Sequence, residues 1–257
     1  MFDLAAWLAA LTVLVGAAAA TWLVSVVQRN VTIVDSLWGV LFVLAAIVYA
    51  VVAPAPGPRT LLVTALTAIW GLRLAAYLTW RNHGKPEDRR YQAIRARNEP
   101  NFALKSLYLV FGFQALLAAV ISLPLLGAIN GTTPIGPLDF AGIALWLVGL
   151  AFEAGGDWQL ARFKADPANA GAVMDRGFWR YTRHPNYFGD FCVWWGFFLL
   201  AAGNGGWWSV AGPLVMSVLL LRVSGVALLE KDIMHRRPEY AEYVRRTNAF
   251  FPGPRRR

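Results

Sequence analysis

Apolar blocks of about twenty residues recur along the whole chain, and each is closed by a polar stretch. That pattern limits the fold more than any other feature. A block of this length matches the hydrocarbon core of a bilayer. In lipid the backbone must satisfy its own hydrogen bonds, so only helices and closed barrels cross it. The period-two alternation of barrel strands is absent. The expectation is an all-α polytopic helical bundle with about seven transmembrane helices: Leu4–Val27, Val31–Ala53, Leu61–Trp80, Ser106–Leu126, Phe140–Gln159, Tyr187–Ala202 and Trp207–Leu229. No polar stretch between them is long enough for a separate domain, so residues 1–257 read as one integral membrane domain. Hydrophobic residues make up 57% of the chain and charged ones 15%, against roughly 25% charged in soluble domains. The first 25 residues contain no Lys or Arg. A secretory leader would open on a basic region, so the first block reads as a permanent span.

The net charge of +9 would point to nucleic acid in a soluble protein. Here its distribution has another cause. Seven Lys and Arg lie in Arg81–Lys105, five in Ala161–Asn186 and eight after Leu229, while the loops between spans four and five and between six and seven hold none. Seven spans put the three basic segments on one side, which the positive-inside rule makes cytoplasmic. The N-terminus is then outside and the C-terminus cytoplasmic, and no nucleic-acid partner is expected. Arg59 alone stands on the wrong side. The lone cysteine, Cys192, lies in an apolar run and reads as core packing. No metal site is assigned. Residues 238–244 fit a short amphipathic helix at the interface. Trp-Gly dipeptides recur at 38–39, 70–71 and 195–196, too few for a repeat period.

Ionisable groups inside spans cost several kcal/mol and mark functional sites by default. This chain places Asp35, Arg73, Glu153, Asp157, Asp190, Arg222 and Glu230 in its spans or at their ends. Even-numbered spans begin at the cytoplasmic face and odd-numbered ones end there, so all of them fall in the cytoplasmic half. That common depth predicts a polar cavity open to the cytoplasm. For Asp157, Asp190 and Glu230, pairing with interfacial arginines explains the position equally well.

The densest local signal is Arg176-Gly-Phe-Trp-Arg-Tyr-Thr-Arg-His-Pro-Asn-Tyr-Phe-Gly-Asp190. It sets Arg180, Arg183, His184 and Asn186 just before a helix start. Guanidinium groups bind phosphate bidentately, and a helix N-terminus adds free N–H groups. The plainer reading is a basic anchor with aromatic interface residues. The run Arg183-His-Pro-Asn-Tyr-Phe-Gly189 also resembles the Arg-His-Pro-x-Tyr-x-Gly signature of a membrane superfamily. That superfamily contains steroid 5-alpha-reductases, sterol C14-reductases and isoprenylcysteine carboxyl methyltransferases. Asp157-Trp-Gln-Leu-Ala-Arg-Phe-Lys164 resembles its cofactor segment. Glu230 with Tyr240, Tyr243, Arg245, Thr247 and Phe251-Pro252 resembles its C-terminal ending. The similarity is good over about residues 150–257, and is carried further toward the N-terminus by Asp35-Ser-Leu-Trp-Gly and Trp70-Gly-Leu-Arg73.

The resemblance implies a membrane enzyme of the bacterial steroid-reductase-like branch, in the bacterial inner membrane, using NADPH to reduce a carbon–carbon double bond of a lipid-like substrate. Residues 138–257 would bind the cofactor and residues 1–130 the substrate. By position, the cofactor group would be Asp157, Leu160, Lys164, Arg180, Arg183, His184, Asn186, Tyr187, Asp190 and Glu230. In the reductases, a glutamate on the second helix and a tyrosine on the third polarise the substrate carbonyl. Here Asp35 would take the acid's place, with Arg73 and Tyr77 as the nearest polar groups on span three. No Rossmann fingerprint is present; Gly203-Asn-Gly-Gly206 lacks a preceding strand. The shared signature keeps an S-adenosylmethionine-dependent methyltransferase as the rival enzyme. A lipid-binding or transport protein is the reading from another class. Substrate lipid and membrane lipids are the expected partners.

Overall fold

The computed structural model describes residues 2–223 and 240–256. Among these the chain is helical, without a strand. Five helices are long and apolar enough to cross a membrane: α1 (Leu4–Gln28), α2 (Ile33–Val52), α3 (Pro58–Asn82), α5 (Phe102–Ile121) and α7 (Pro137–Ala165). The short α4 (Arg89–Asn98) and α6 (Leu123–Ile129) flank α5. The polytopic helical membrane bundle stands, with differences in detail. The expected sixth span is α8 (Pro185–Ala202), whose polar opening turn with Asn186 and Asp190 dilutes its apolar run. The seventh is α9 (Trp207–Val223) as far as the described residues go. The rest of that span, with Glu230, lies outside them. The expected fourth span ends early at Ser122, and Pro124 then opens the separate α6. The amphipathic segment near the C-terminus forms α10 (Tyr240–Arg246).

The chain divides into two compact units, Met1–Ile135 with Ala201–Ala211, and Gly136–Leu200 with Gly212–Arg257. In the first unit, two indoles tie α1 to α5. Trp7 Nε1 donates to the Ala119 carbonyl at 3.0 Å, and Trp22 Nε1 to that of Ala103 at 2.7 Å. Helices α2 and α3 cross at Gly39 and Gly71. A Cβ on Gly39 would lie 2.3 Å from the Gly71 carbonyl oxygen, so the backbones touch. Lipid gives helices little hydrophobic reason to associate, and close packing through small residues supplies the attraction. Arg59 is buried at the far end of α3, where Nη2 donates to the Pro134 carbonyl at 3.0 Å and to Thr133. Its position against the charge rule thus has a local reason: it clamps the loop before α7.

The second unit repeats this contact as a ladder. Gly142, Gly149 and Gly156 lie seven residues apart on one stripe of α7. Antiparallel α8 answers with Gly196, Gly189 and Pro185. A Cβ on Gly142 would lie 2.8 Å from the Gly196 carbonyl oxygen, and one on Gly149 2.6 Å from that of Gly189. Each Trp-Gly glycine therefore marks a helix crossing. Trp195 Nε1 adds a bond to Ser217 Oγ on α9 at 3.2 Å.

Gly149→Leu should separate α7 from α8, and overpacking of this kind costs about 1–3 kcal/mol or more. Thermal denaturation in detergent should show a lower midpoint for Gly149→Leu than for Gly136→Leu, where a Cβ meets nothing within 4 Å.

Candidate functional site

In the first unit the loop between α3 and α5 folds back onto the start of α2. The Glu87 carboxylate accepts the Val31 N–H at 3.0 Å, and the Asp88 N–H donates to Thr32 Oγ1 at 2.8 Å. Arg95 holds Glu87 through Nε at 2.9 Å and Nη2 at 2.8 Å, and stacks over the Phe102 ring at 4.4 Å. Burial opposes the charge on Glu87, but Arg95 and the Val31 N–H outweigh it and hold its carboxyl below the usual range. Asp88 is lowered in the same way, burial being outweighed by Arg90.

This fold of the loop surrounds Asp35 in the first turn of α2. The Tyr91 hydroxyl donates to Asp35 Oδ1 at 2.6 Å, and Arg90 Nη2 to Oδ2 at 3.0 Å. Arg81 Nη2 stands 3.9 Å from the same oxygen. Tyr91 is buried, and burial followed by the adjacent Asp35 charge pushes its phenol well above the ordinary value. Burial works against the charge on Arg90, yet Asp35 and Asp88 more than offset it, so the guanidinium stays firmly protonated. Arg73, Tyr77 and Arg81 follow one another four residues apart on one stripe of α3, with the Arg81 guanidinium 5.9 Å from the Tyr77 ring centre. Arg73 and Tyr77 are half-buried. Tyr77 meets Arg81, whereas Tyr91 touches Asp35 directly. Sequence reasoning missed Tyr91 because it sits in a loop counted only for its arginines. The acidic pair Glu87-Asp88 within that basic run was the available signal.

In the second unit the Arg/His segment is held between α7 and the C-terminal residues. Phe178 N–H donates to Gln159 Oε1 at 3.0 Å, and the buried Trp179 Nε1 to the Gly156 carbonyl at 3.0 Å. On the other side Thr182 Oγ1 donates to the Phe250 carbonyl at 2.7 Å, and the Arg183 N–H to that of Asn248 at 2.9 Å. Tyr243 donates its hydroxyl to the Trp179 carbonyl. The buried Arg183 guanidinium donates through Nη1 to the carbonyls of Val244, at 3.1 Å, and Thr247. One arm of a cation expected to meet an anion is thus committed to the end of α10.

The remaining expected residues fall into two groups. Asn186 Nδ2 donates to Asp157 Oδ1 at 3.3 Å, and its own Oδ1 accepts the Tyr187 N–H at 3.1 Å. His184 is buried and stacks parallel on Tyr187, with ring centres 5.5 Å apart. Asp157, His184, Asn186 and Tyr187 are therefore brought together at the start of α8, with Glu153 buried one turn earlier on α7. Leu160 and Asp190 are half-buried, while Lys164 and Arg180 are exposed. A cavity of about 400 Å³ opens in the same unit beside Asp175, Glu242, Tyr243, Arg246 and Arg255. None of the residues expected from the sequence lines it, Tyr243 of the C-terminal ending apart. Its two arginines are paired, Arg255 with Asp175 and Arg246 with Glu242. Among the described residues no group of His, Cys, Asp and Glu has the arrangement of a metal site.

A family described as "Protein of unknown function (DUF1295)" matches residues 21–247. The chain belongs to this family, which is steroid 5-alpha-reductase-like. That membership points to chemistry of the membrane reductase or methyltransferase type. Uncharacterized protein C594.04c of Schizosaccharomyces pombe is similar, with 24% identity over 267 residues covering 90% of this chain and 75% of its own. No solved structure matches the chain.

Two outcomes check the geometry. Arg183→Gln should loosen the C-terminal segment, since a hydrogen bond from a charged group is worth about 1.5–3 kcal/mol. Limited trypsin digestion should cut at Arg245 and Arg246 faster in Arg183→Gln than in the wild type, and no faster in Arg180→Gln. The lowered carboxyls of Glu87 and Asp88 stabilise the fold above the ordinary carboxylate range and lose that contribution as pH falls through and below about 4. Melting midpoints of wild type and Glu87→Gln should therefore differ at pH 7 and converge toward pH 3.

Proposed function

We propose that the chain is a membrane oxidoreductase that uses NADPH to reduce a carbon–carbon double bond conjugated to a carbonyl in a lipid-like substrate. The observation that carries this reading is the Tyr91 hydroxyl held 2.6 Å from Asp35, with Arg90 on the other carboxylate oxygen at 3.0 Å. A buried phenol oriented by a carboxylate is suited to meet a developing enolate oxygen. Its raised value means that it keeps its proton at neutral pH and acts as a hydrogen-bond donor. Arg90 and Arg81 continue to balance the Asp35 charge when the phenol turns from Asp35 toward the substrate oxygen. Arg73 and Tyr77, on the stripe of α3 that ends in Arg81, complete the polar surface offered to the carbonyl end.

The donor set of the second unit fits a reduced nicotinamide nucleotide. The Asn186 carboxamide, braced by Asp157, is suited to a ring carboxamide or ribose hydroxyl. The exposed Arg180 and Lys164 are suited to phosphate. His184 and Tyr187 present a stacked pair of rings at the same helix start. Leu160 and Asp190 border this group. Arg183 contributes chiefly by fixing the segment through Val244 and Thr247. NADPH when bound supplies the hydride for the β-carbon. In keeping with the positive-inside rule, the reading sets the basic loops on the cytoplasmic face of a bacterial inner membrane.

The test begins with ligand-induced thermal shift of the purified protein. NADPH should raise the midpoint and S-adenosylmethionine should not; stabilisation by the methyl donor alone would replace the reductase with a methyltransferase. Asn186→Ala should weaken the NADPH shift. Tyr91→Phe and Asp35→Asn should leave it intact and lower turnover of an enone lipid by about 10²–10³, the usual cost of losing one oxyanion donor.

A further inference from the structure

Gln114 is the one amide in the apolar run from Leu107 to Ile121, and neither the sequence signature nor the proposed cofactor group uses it. Its Nε2 lies 3.4 Å from the Tyr91 hydroxyl oxygen. A phenol carries a single proton, and the 2.6 Å contact with Asp35 Oδ1 occupies it. The phenol oxygen can then only accept, so the partner must be a donor, which is the amide nitrogen. The result is a directional chain from the Gln114 N–H to the Tyr91 oxygen and from the Tyr91 O–H to Asp35. A serine or a carboxylic acid at position 114 could reverse its own polarity; an amide nitrogen cannot.

A second, backbone observation concerns the same residue. Helix α5 is wound as a π-helix from Leu107 to Gly112 and returns to α-helix at Phe113. A π-turn inserts one extra residue and rotates everything after it by about 100° relative to an unbroken helix. Position 114 thus stands where position 113 of an uninterrupted α-helix would stand. Phe113 is left 53% exposed, while Gln114 is half-buried against Tyr91. Such turns are rare and are frequently found at functional sites.

We propose that Gln114 is a positioning residue for the reduction: its side-chain amide fixes the direction of the Tyr91 O–H, and the π-turn before it aims the amide. This rests on the reading of Tyr91 and Asp35 given above. When a substrate oxygen arrives, the Gln114 N–H keeps one lone pair of the phenol occupied, so the hydroxyl swings between Asp35 and the substrate without rotating out of the site.

Two measurements decide it, one of them independent of turnover. Gln114→Met keeps the length of the side chain and removes both amide groups; Gln114→Glu keeps the shape and, as the ionised carboxylate, removes the donor. The first measurement is a double-variant cycle on melting temperature in detergent. The losses in Gln114→Met and Tyr91→Phe should sum to more than the loss in the double variant, because both remove the same bond. Additive losses would overturn the contact. Should Gln114→Met not fold, the same cycle with Gln114→Glu decides the point. The second measurement follows NADPH oxidation at saturating nucleotide with a long-chain 2-enal as probe. Gln114→Met and Gln114→Glu should each lower kcat about five- to tenfold, the worth of one neutral hydrogen bond, with KM unchanged. In the Tyr91→Phe background neither should lower kcat further. A change in KM alone, or an equal loss in the Tyr91→Phe background, would show that Gln114 acts elsewhere. A wild type that binds NADPH and does not oxidise it with any conjugated lipid would end the reductase reading, and with it the positioning role, whatever the melting cycle says of the contact.

Discussion

Backbone contact at glycine is the constraint on which the rest of the structure depends. Lipid tails are as apolar as leucine, so a leucine-rich helix gains little by leaving them for another helix. What draws helices together is close approach, and here it is taken to its limit. Gly39 meets Gly71 in the first unit, and Gly142 and Gly149 meet Gly196 and Gly189 in the second. Each crossing also fixes rotation. With α2 locked to α3, Asp35 and Arg81 fall at the same end of the pair, 3.9 Å apart. With α7 locked to α8, Asp157 and Asn186 face each other at 3.3 Å. The polar groups are thus positioned by residues that have no side chain.

The basic segments carry two kinds of arginine, and the charge rule does not separate them. Arg90 and Arg95 point inward to carboxylates and order the loop over α2. Arg183 points inward to carbonyls and orders the C-terminal residues. Arg180 and Arg89 stay at the surface. A cation that balances a topology count can also hold a loop shut, because a bias in charge constrains which side a segment lies on and leaves its direction open. Arg59 makes the converse point. It counts against the expected orientation, yet its burial and its bonds to Thr133 and Pro134 give it a packing role within the fold.

Much of the bundle was legible in the sequence because apolar length is a one-dimensional property. Five helices have the length and hydropathy expected of spans, and the polar breaks fall close to where Pro, Gly and Asn cluster. The weaker blocks were the ones that carry polar residues, as at the start of α8, where chemistry and hydropathy compete for the same turn. The candidate site drew attention in the sequence through its acids and the Arg/His segment, whose residue types are rare in lipid. It was not legible in Tyr91 and Gln114. Tyr91 is 56 residues from the acid it touches, and only tertiary folding joins them. Gln114 is aimed by a π-turn, and a helical wheel drawn with 3.6 residues per turn points it the wrong way.

The pairing of residues 179–183 with residues 243–253 has a consequence for how the protein is made. Trp179, Tyr181, Thr182 and Arg183 leave the ribosome roughly sixty to seventy residues before their partners, and each then presents a carbonyl, a hydroxyl, an N–H or a guanidinium whose partner in the fold lies in residues 243–253. Until Phe250 and Gly253 arrive, the signature segment has its sequence but not its shape. The second unit is therefore completed in one late step, and a nascent chain halted just short of that point would hold its membrane helices with the Arg/His segment unassembled.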